Sequence, residues 1–172
     1  MRIPKIILLD PNRVWRTYPG GKLLDRLEGK KTPQDTHFPE DWIASTTRAI
    51  NPGREEITEE GHSKVKIDGS VWRLKDLMQS FSDQLLGKSH FDQYGSNTQF
   101  LLKFLDSSVR LHLQCHPTRS FAQQHLNSDS GKTEAYIILS VRDGIQSPFI
   151  YLGFQRPMLR EVFRQAVLDQ DF

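Results

Sequence analysis

The spacing of apolar residues changes several times along the chain, and each spacing predicts a different element. Apolar residues between positions 72 and 87 recur at helical spacing, which predicts a helix packed on a core, and Gly87 stands where a helix commonly ends. A second helix is predicted near 158–169, after Pro157, and a short one near 23–27. The positions of the first stripe are Leu74, Leu77, Met78, Phe81, Leu85 and Leu86.

The segment between the two longer helices begins with two predicted strands. Residues 100–105 are apolar except for Lys103, a pattern typical of a strand buried on both faces. Residues 109–116 alternate strictly between apolar and polar side chains, which is the period of a strand with one face on a core. Pro117 ends this second strand because proline cannot donate to a β-ladder.

Turn signals divide the rest of the chain into further pieces. An Asp-Gly pair at 68–69 predicts a tight turn between two extended segments over 63–73, and two more strands are predicted over 133–141 and 149–152. The region 31–61 is rich in Pro, Asp, Glu and Thr and is predicted to be mostly loop. Short strands joined by tight turns indicate an antiparallel sheet, closed or doubled, so the predicted fold class is mainly β with a few helices.

Length and composition favour one domain and exclude several kinds of partner. The 172 residues are 37% hydrophobic and 26% charged, which is enough apolar material for one core. The 23 Lys and Arg residues against 21 Asp and Glu residues leave a formal charge of +2, and the basic residues are scattered, so no nucleic-acid footprint is present. The lone Cys115 cannot form an internal disulfide, and no apolar run reaches the roughly 20 residues of a membrane span. We therefore expect a cytoplasmic protein that binds neither membranes nor nucleic acid.

The polar face of the strand predicted at 109–116 carries unusual residues. Arg110, His112, Gln114 and His116 occupy its alternate positions, where a solvated face would carry Lys, Glu, Thr or Ser. Imidazole nitrogens with amide or carboxylate oxygens suit Zn²⁺, and His116 together with Glu134 of an adjacent strand could supply two ligands. The competing interpretation is a hydrogen-bonded surface histidine. The histidines outside this strand are interpreted as solvated or structural; they are His37, His62, His90 and His125.

The segment Ser130-Gly131-Lys132-Thr133 is similar to the end of a phosphate-binding loop. A nucleotide-binding loop is excluded, because Leu126 stands where the first glycine is required and the segment is predicted to lead into a strand. Lys132 is then either a solvated turn lysine or a cation beside Glu134.

Several short motifs, in order along the chain, resemble those of class I mannose-6-phosphate isomerases, which are zinc enzymes of the cupin superfamily. The two most specific are Gln114-Cys115-His116-Pro117, similar to the family's Gln-x-His-Pro, and Gly131-Lys132-Thr133-Glu134, similar to its Gly-Lys-Thr-Glu. The resemblance covers about 12–153. The other matching segments are Val14-Trp15-Arg16 with Gly20-Gly21, Glu40-Asp41-Trp42 with Ser45, and Leu102-Lys103-Phe104-Leu105-Asp106.

The resemblance implies a fold, a reaction and roles for named residues. The expected fold is a cupin-type antiparallel β-barrel or jelly roll with flanking helices, formed by residues 1–172 as a single domain. The expected activity is zinc-dependent interconversion of mannose 6-phosphate and fructose 6-phosphate through an enediol. The implied metal ligands are His116, Glu134 and Gln114, the implied catalytic and substrate-binding residues are Lys103 and Lys132, and Trp42 is a further expected substrate contact.

Departures from the family pattern leave alternatives open. His112 replaces a family serine and could add a ligand, donate a hydrogen bond or block the pocket. The family takes its remaining histidine ligand and an essential arginine from a later part of the chain. We therefore expect this sequence to represent about the N-terminal half of a longer isomerase. The alternatives are a non-catalytic cupin module that binds a sugar phosphate and a fragment without an independent role. The exact sugar, the metal and the oligomeric state stay open.

Overall fold

A computed structural model of the protein describes residues 3–171. The strands, in chain order, are β1 (Arg13–Val14), β2 (Glu40–Ile43), β3 (Lys64–Ile67), β4 (Ser70–Arg73) and β5 (Leu102–Leu105). The helices are α1 (Lys22–Leu27), α2 (Leu74–Ser80), α3 (Ser82–Leu85), α4 (Lys88–Tyr94), α5 (Arg119–His125) and α6 (Arg160–Asp169). No helix within this part of the chain could cross a bilayer, because the longest, α6, has 10 residues.

Strand β2 is the centre of a three-stranded antiparallel sheet of order β1-β2-β5. Glu40 lies opposite Val14 on one side and Leu105 on the other, and Trp42 lies opposite Lys103. Residues opposite each other, and residues two apart on a strand, share a face of the sheet. Glu40, Trp42 and Lys103 therefore lie on one face. The prediction that 31–61 is mostly loop missed β2, because its pairing is with residues far away in sequence.

The second sheet is the hairpin predicted at 63–73. Strands β3 and β4 pair antiparallel around the turn at 68–69, where both residues have positive φ, as the Asp-Gly signal indicated. Its apolar face packs with α2 into one core, formed by Val65, Ile67, Leu74 and Leu77, all buried.

The helical predictions are confirmed with one correction. The helices near 23–27 and 158–169 are α1 and α6. The helix expected over 72–87 is interrupted, because Phe81 has φ −131° and ψ 38°, outside the helical region, so α2 ends there and α3 begins anew.

Three of the predicted strands are corrected by the structure. Only Leu102–Leu105 of the four expected over 100–152 forms a ladder, and it is an edge strand with Leu102 54% exposed, so it is not buried on both faces. The segments 109–116, 133–141 and 149–152 contain no paired strand within 3–171. Alternation makes a segment suitable for a sheet, but a strand forms only where a partner accepts its backbone hydrogen bonds.

The observed architecture is antiparallel sheets with helices. Among the described residues no strands close into a barrel, and the cupin jelly roll remains a prediction. The accessible surface is 13459 Å², whereas a compact monomer of this mass exposes about 8,700 Å². Much apolar surface of the C-terminal third is accordingly exposed, including Ile137 at 86% and Leu152 at 92%.

Hydrogen bonds accepted by the Asp106 side chain join the end of β5 to α1. The Asp106 carboxylate accepts hydrogen bonds from the backbone N–H groups of Gly21 (3.1 Å) and Leu23 (2.7 Å) at the start of α1. It also accepts two bonds from Arg142, at 2.8 and 2.7 Å, and Arg142 donates in turn to Asp35. These bonds hold residue 142 against the sheet although its neighbours have no strand partners.

Candidate functional site

The candidate site forms where a turn brings the residue before Pro117 next to Glu134. The backbone N–H of Lys132 donates to the Pro117 carbonyl at 3.0 Å. Gly131 lies so close to residues 117–119 that a Cβ atom there would meet the Pro117 oxygen at 2.7 Å and the Arg119 nitrogen at 2.8 Å. Only glycine permits this approach without a shift of the backbone.

His116, Lys132 and Glu134 meet at this turn. The Nε2 atom of His116 lies 3.0 Å from Oε2 of Glu134. The Lys132 ammonium lies 3.1 Å from the same imidazole nitrogen and 3.4 Å from the same carboxylate oxygen. The side chains of His116 and Glu134 are largely buried, at 28% and 15% exposure, whereas that of Lys132 is 49% exposed. The positive charge of Lys132 therefore already balances the negative charge of Glu134 beside His116.

Lys103 connects this group to the three-stranded sheet. Its ammonium lies 4.0 Å from Oε1 of Glu134 and 3.6 Å from Oε2 of Glu40. The Lys103 side chain is 20% exposed, and β5 aims it between the two carboxylates. The structure thus brings together four of the residues predicted from the sequence: Lys103, His116, Lys132 and Glu134.

Glu40 is a member of this cluster that sequence reasoning did not identify as a site residue. Its side chain is 2% exposed. Oε1 accepts a hydrogen bond from the Tyr18 hydroxyl and lies 3.3 Å from Nε of Arg16, while Oε2 accepts from Nε1 of Trp42 at 2.6 Å. The available signal was a carboxylate two positions before a tryptophan in one strand, which places both on the same buried face.

Two of the predicted site residues occupy other environments. Trp42 lies in the core with Val14 and Ala49 at 5% exposure, and its indole contributes to the cluster through Glu40. Its direct contact with a substrate stays a prediction. Gln114 and His112 are exposed on the segment that leads to His116, and their roles as ligands also stay predictions.

Burial and charge act against each other at the Glu134 carboxyl. Burial raises the pKa of Glu134, but the charge of Lys132, the hydroxyl of Tyr136 and the charge of Lys103 together outweigh it, so the pKa lies below its ordinary value. Burial and the neighbouring Glu134 carboxylate raise the pKa of the Tyr136 hydroxyl. Burial and the Glu40 carboxylate likewise raise the pKa of Tyr18. At neutral pH the cluster therefore contains a carboxylate and two neutral phenols.

His116 and Glu134 have the ligand atoms that a metal ion needs, but two side chains are a small ligand set. Oε2 of Glu134 is buried and accepts no hydrogen bond from any residue of 3–171, although the His116 imidazole and the Lys132 ammonium lie 3.0 and 3.4 Å away. Nitrogen and oxygen ligands of one tetrahedral Zn²⁺ ion are roughly 3.3–3.5 Å apart, so the observed 3.0 Å is slightly shorter than this spacing. Among the described residues, however, no group of three or more His, Cys, Asp or Glu side chains could hold a metal.

Comparison with known proteins shows one partial similarity among the curated sequences. The chain is 33% identical over 72 residues to the protein described as probable mannose-6-phosphate isomerase GmuF of Bacillus subtilis (strain 168). The match covers 42% of this chain and 22% of the relative's length. No family model and no solved structure matches the chain. The similarity supports a distant relationship to a probable mannose-6-phosphate isomerase.

Proposed function

We propose that this chain supplies part of the active site of a zinc-dependent isomerase that interconverts mannose 6-phosphate and fructose 6-phosphate through an enediol. The observation that carries the proposal is the meeting of His116 and Glu134 at 3.0 Å, with the lysine side chains of 103 and 132 beside them. The distant relationship to a probable mannose-6-phosphate isomerase supports the same reaction class.

In this proposal His116 and Glu134, with Gln114, hold the zinc ion. When bound, zinc would polarise the hydroxyl and carbonyl oxygens between which the proton moves. Lys132 is half-exposed at the rim of the cluster, so it is suited to attract the phosphate of an incoming substrate. Lys103 is mostly buried between two carboxylates and is suited to stabilise the negative charge that develops on the enediolate.

A second candidate function is binding of a sugar phosphate without turnover. The observation that favours it is the small donor set: within 3–171 only two side chains of the metal-binding types converge, and structural or catalytic zinc ordinarily takes three or four protein ligands. Lys103 and Lys132 would then bind the phosphate in a site that does not assemble the catalytic metal.

Zinc content and turnover of the purified protein test the two candidates together. We expect saturable zinc binding and mannose 6-phosphate turnover in a coupled assay. His116→Ala and Glu134→Gln should each lower the zinc affinity by at least roughly tenfold, because each removes a ligand. His125→Ala, which changes an exposed histidine at the end of α5, serves as the control and should bind zinc like the wild type.

The outcomes separate the candidates. Saturable binding of mannose 6-phosphate by calorimetry, without zinc and without turnover, would favour the binding module. Absence of zinc, turnover and sugar-phosphate binding from the wild-type protein would contradict both.

A further inference from the structure

Glu40 has no role in the proposed reaction, yet it is the most buried charged side chain of the cluster. It lies on the central strand β2 at 1% exposure, where a carboxylate carries a large desolvation cost. Apolar residues of similar volume often replace such buried ions without loss of stability. The burial of this carboxylate in the middle of a sheet therefore indicates that it fixes the position of a neighbouring side chain.

The contacts of Glu40 identify that partner. Its hydrogen bonds from Tyr18 and Trp42 satisfy both carboxylate oxygens, and Arg16 lies 3.3 Å from Oε1. With a hydrogen bond and a cation beside each oxygen, Glu40 is poorly placed to accept a proton from a substrate. The contact that points towards the candidate site is the one from Oε2 to the Lys103 ammonium, at 3.6 Å.

Lys103 has two competing counter-charges. Glu40 lies 3.6 Å from its ammonium and Glu134 lies 4.0 Å away on the other side. Glu40 is itself held rigidly by the core residue Trp42, whereas Glu134 follows a segment without strand partners. The rigid carboxylate therefore determines where the flexible lysine side chain rests. The attraction of the Glu40 carboxylate also limits how closely the Lys103 ammonium can approach Glu134.

We propose that Glu40 is a positioning residue, which holds the Lys103 ammonium at the edge of the site and thereby keeps a second ammonium, besides that of Lys132, from pairing closely with the Glu134 carboxylate. The inference rests on the proposed function for its catalytic consequence, but the placement of Lys103 is a property of the protein alone. Without the Glu40 charge, Glu134 is the one carboxylate among residues 3–171 that remains within 4.0 Å of the Lys103 ammonium.

The first test measures Lys103 directly, in metal-free protein and without substrate. The rate of acetylation of Lys103 by acetic anhydride, followed by peptide mass spectrometry, should rise by roughly fivefold in Glu40→Gln, because the ammonium keeps only Glu134 of the two carboxylates that protect it from acylation. Asp41→Asn, on the opposite face of the same strand, is the matched control and should leave the rate unchanged. An unchanged rate in Glu40→Gln would overturn the proposal.

The second test asks whether Glu40 acts through Lys103. Glu40→Gln should weaken zinc binding, measured by calorimetry, by roughly fivefold, and this loss should disappear when Lys103 is already Met. An equal loss in both backgrounds would mean that Glu40 acts through its own charge, contrary to the proposal. If Glu40→Gln fails to fold, Glu40→Asp takes its place, because it keeps the charge and withdraws the carboxylate from Lys103.

The two tests keep the inference separate from the proposed function. A wild-type protein that neither binds zinc nor turns over mannose 6-phosphate contradicts the isomerase, while the acetylation rates still decide the placement of Lys103. Conversely, normal zinc binding with unchanged acetylation in Glu40→Gln overturns the positioning role alone.

Discussion

His62 is buried at 7% exposure, and neither ring nitrogen has a hydrogen-bond partner among the described residues. Burial is the main cause that lowers its pKa, and the nearby charge of Lys75 lowers it further. Glu59 raises the pKa, Arg73 lowers it again and Asp76 raises it, and the net direction is downward. The folded protein therefore favours the neutral imidazole.

This single residue predicts a pH dependence of stability. The unfolded chain protonates His62 near pH 6.5, and the folded chain does so only at lower pH, so the contribution is fully present above pH 6.5 and is lost as the pH falls below it. We expect the free energy of unfolding, from urea titrations, to fall by roughly 1 kcal/mol more in wild type than in His62→Gln when the pH decreases from about 7.5 to 5.5. The variant His125→Gln, which alters an exposed histidine, should follow the wild type. Parallel pH profiles for wild type and His62→Gln would contradict the assignment.

At the scale of elements, the approach of α1 to the sheet depends on Gly20. A Cβ atom at this position would lie far inside the van der Waals contact distance of the Asp106 carbonyl oxygen and would also meet Pro39. Gly20 pairs by backbone bridges with both Thr36 and Ser107. The backbone on both sides is thus held, and the clash cannot be relieved by a flexible side chain.

We expect Gly20→Ala to lower the free energy of unfolding by about 3 kcal/mol, because the end of β5 must move away from α1. The control Gly29→Ala has open space around its Cβ but a φ of +73°, so it should lower stability by only about 1 kcal/mol, the conformational term alone. Thermal melts followed by circular dichroism compare the two. Equal losses in the two variants would show that close approach to Asp106 contributes nothing.

For the molecule as a whole, burial is uneven. Among the described residues, none beyond Ala122 has an exposure of 7% or less, and the accessible surface exceeds that of a compact monomer of the same mass by several thousand Å². Beyond Glu134, the chain up to residue 158 has ion pairs to the rest of the protein from Arg142, to Asp35 and Asp106, and from Asp143, to Arg26. Exposed apolar segments without backbone pairing are sites of easy cleavage.

Limited proteolysis checks this organisation. Chymotrypsin should cut first within 136–158, where Tyr136, Phe149 and Tyr151 are exposed, and at the exposed Phe100, and should spare the buried Trp42. Arg142→Ala should accelerate the cut near residue 136, because it removes the bonds to Asp35 and Asp106, whereas Arg156→Ala should not. First cuts at Trp42 or Phe104, identified by intact mass, would contradict the uneven burial.

Local features of this protein could be predicted from its sequence. Helices α1 and α6, the helical region around α2 and the β3-β4 hairpin depend on spacing and turn residues within a few positions of each other. The residues of the cluster formed by His116, Lys132 and Glu134 could also be predicted, because the sequence motifs that contain them are short and contiguous. Their function as metal ligands and catalytic residues stays a prediction.

The tertiary structure decided what depends on distant partners. Strand β2 forms in a segment predicted to be loop because β1 and β5 pair with its backbone. Residues 109–116, which alternate like a strand, and residues 133–141 have no paired neighbour within 3–171. The burial of Glu40 follows from that same pairing. Spacing along a sequence determines which face a side chain can take, but only long-range pairing determines whether that face is buried and which charges meet on it.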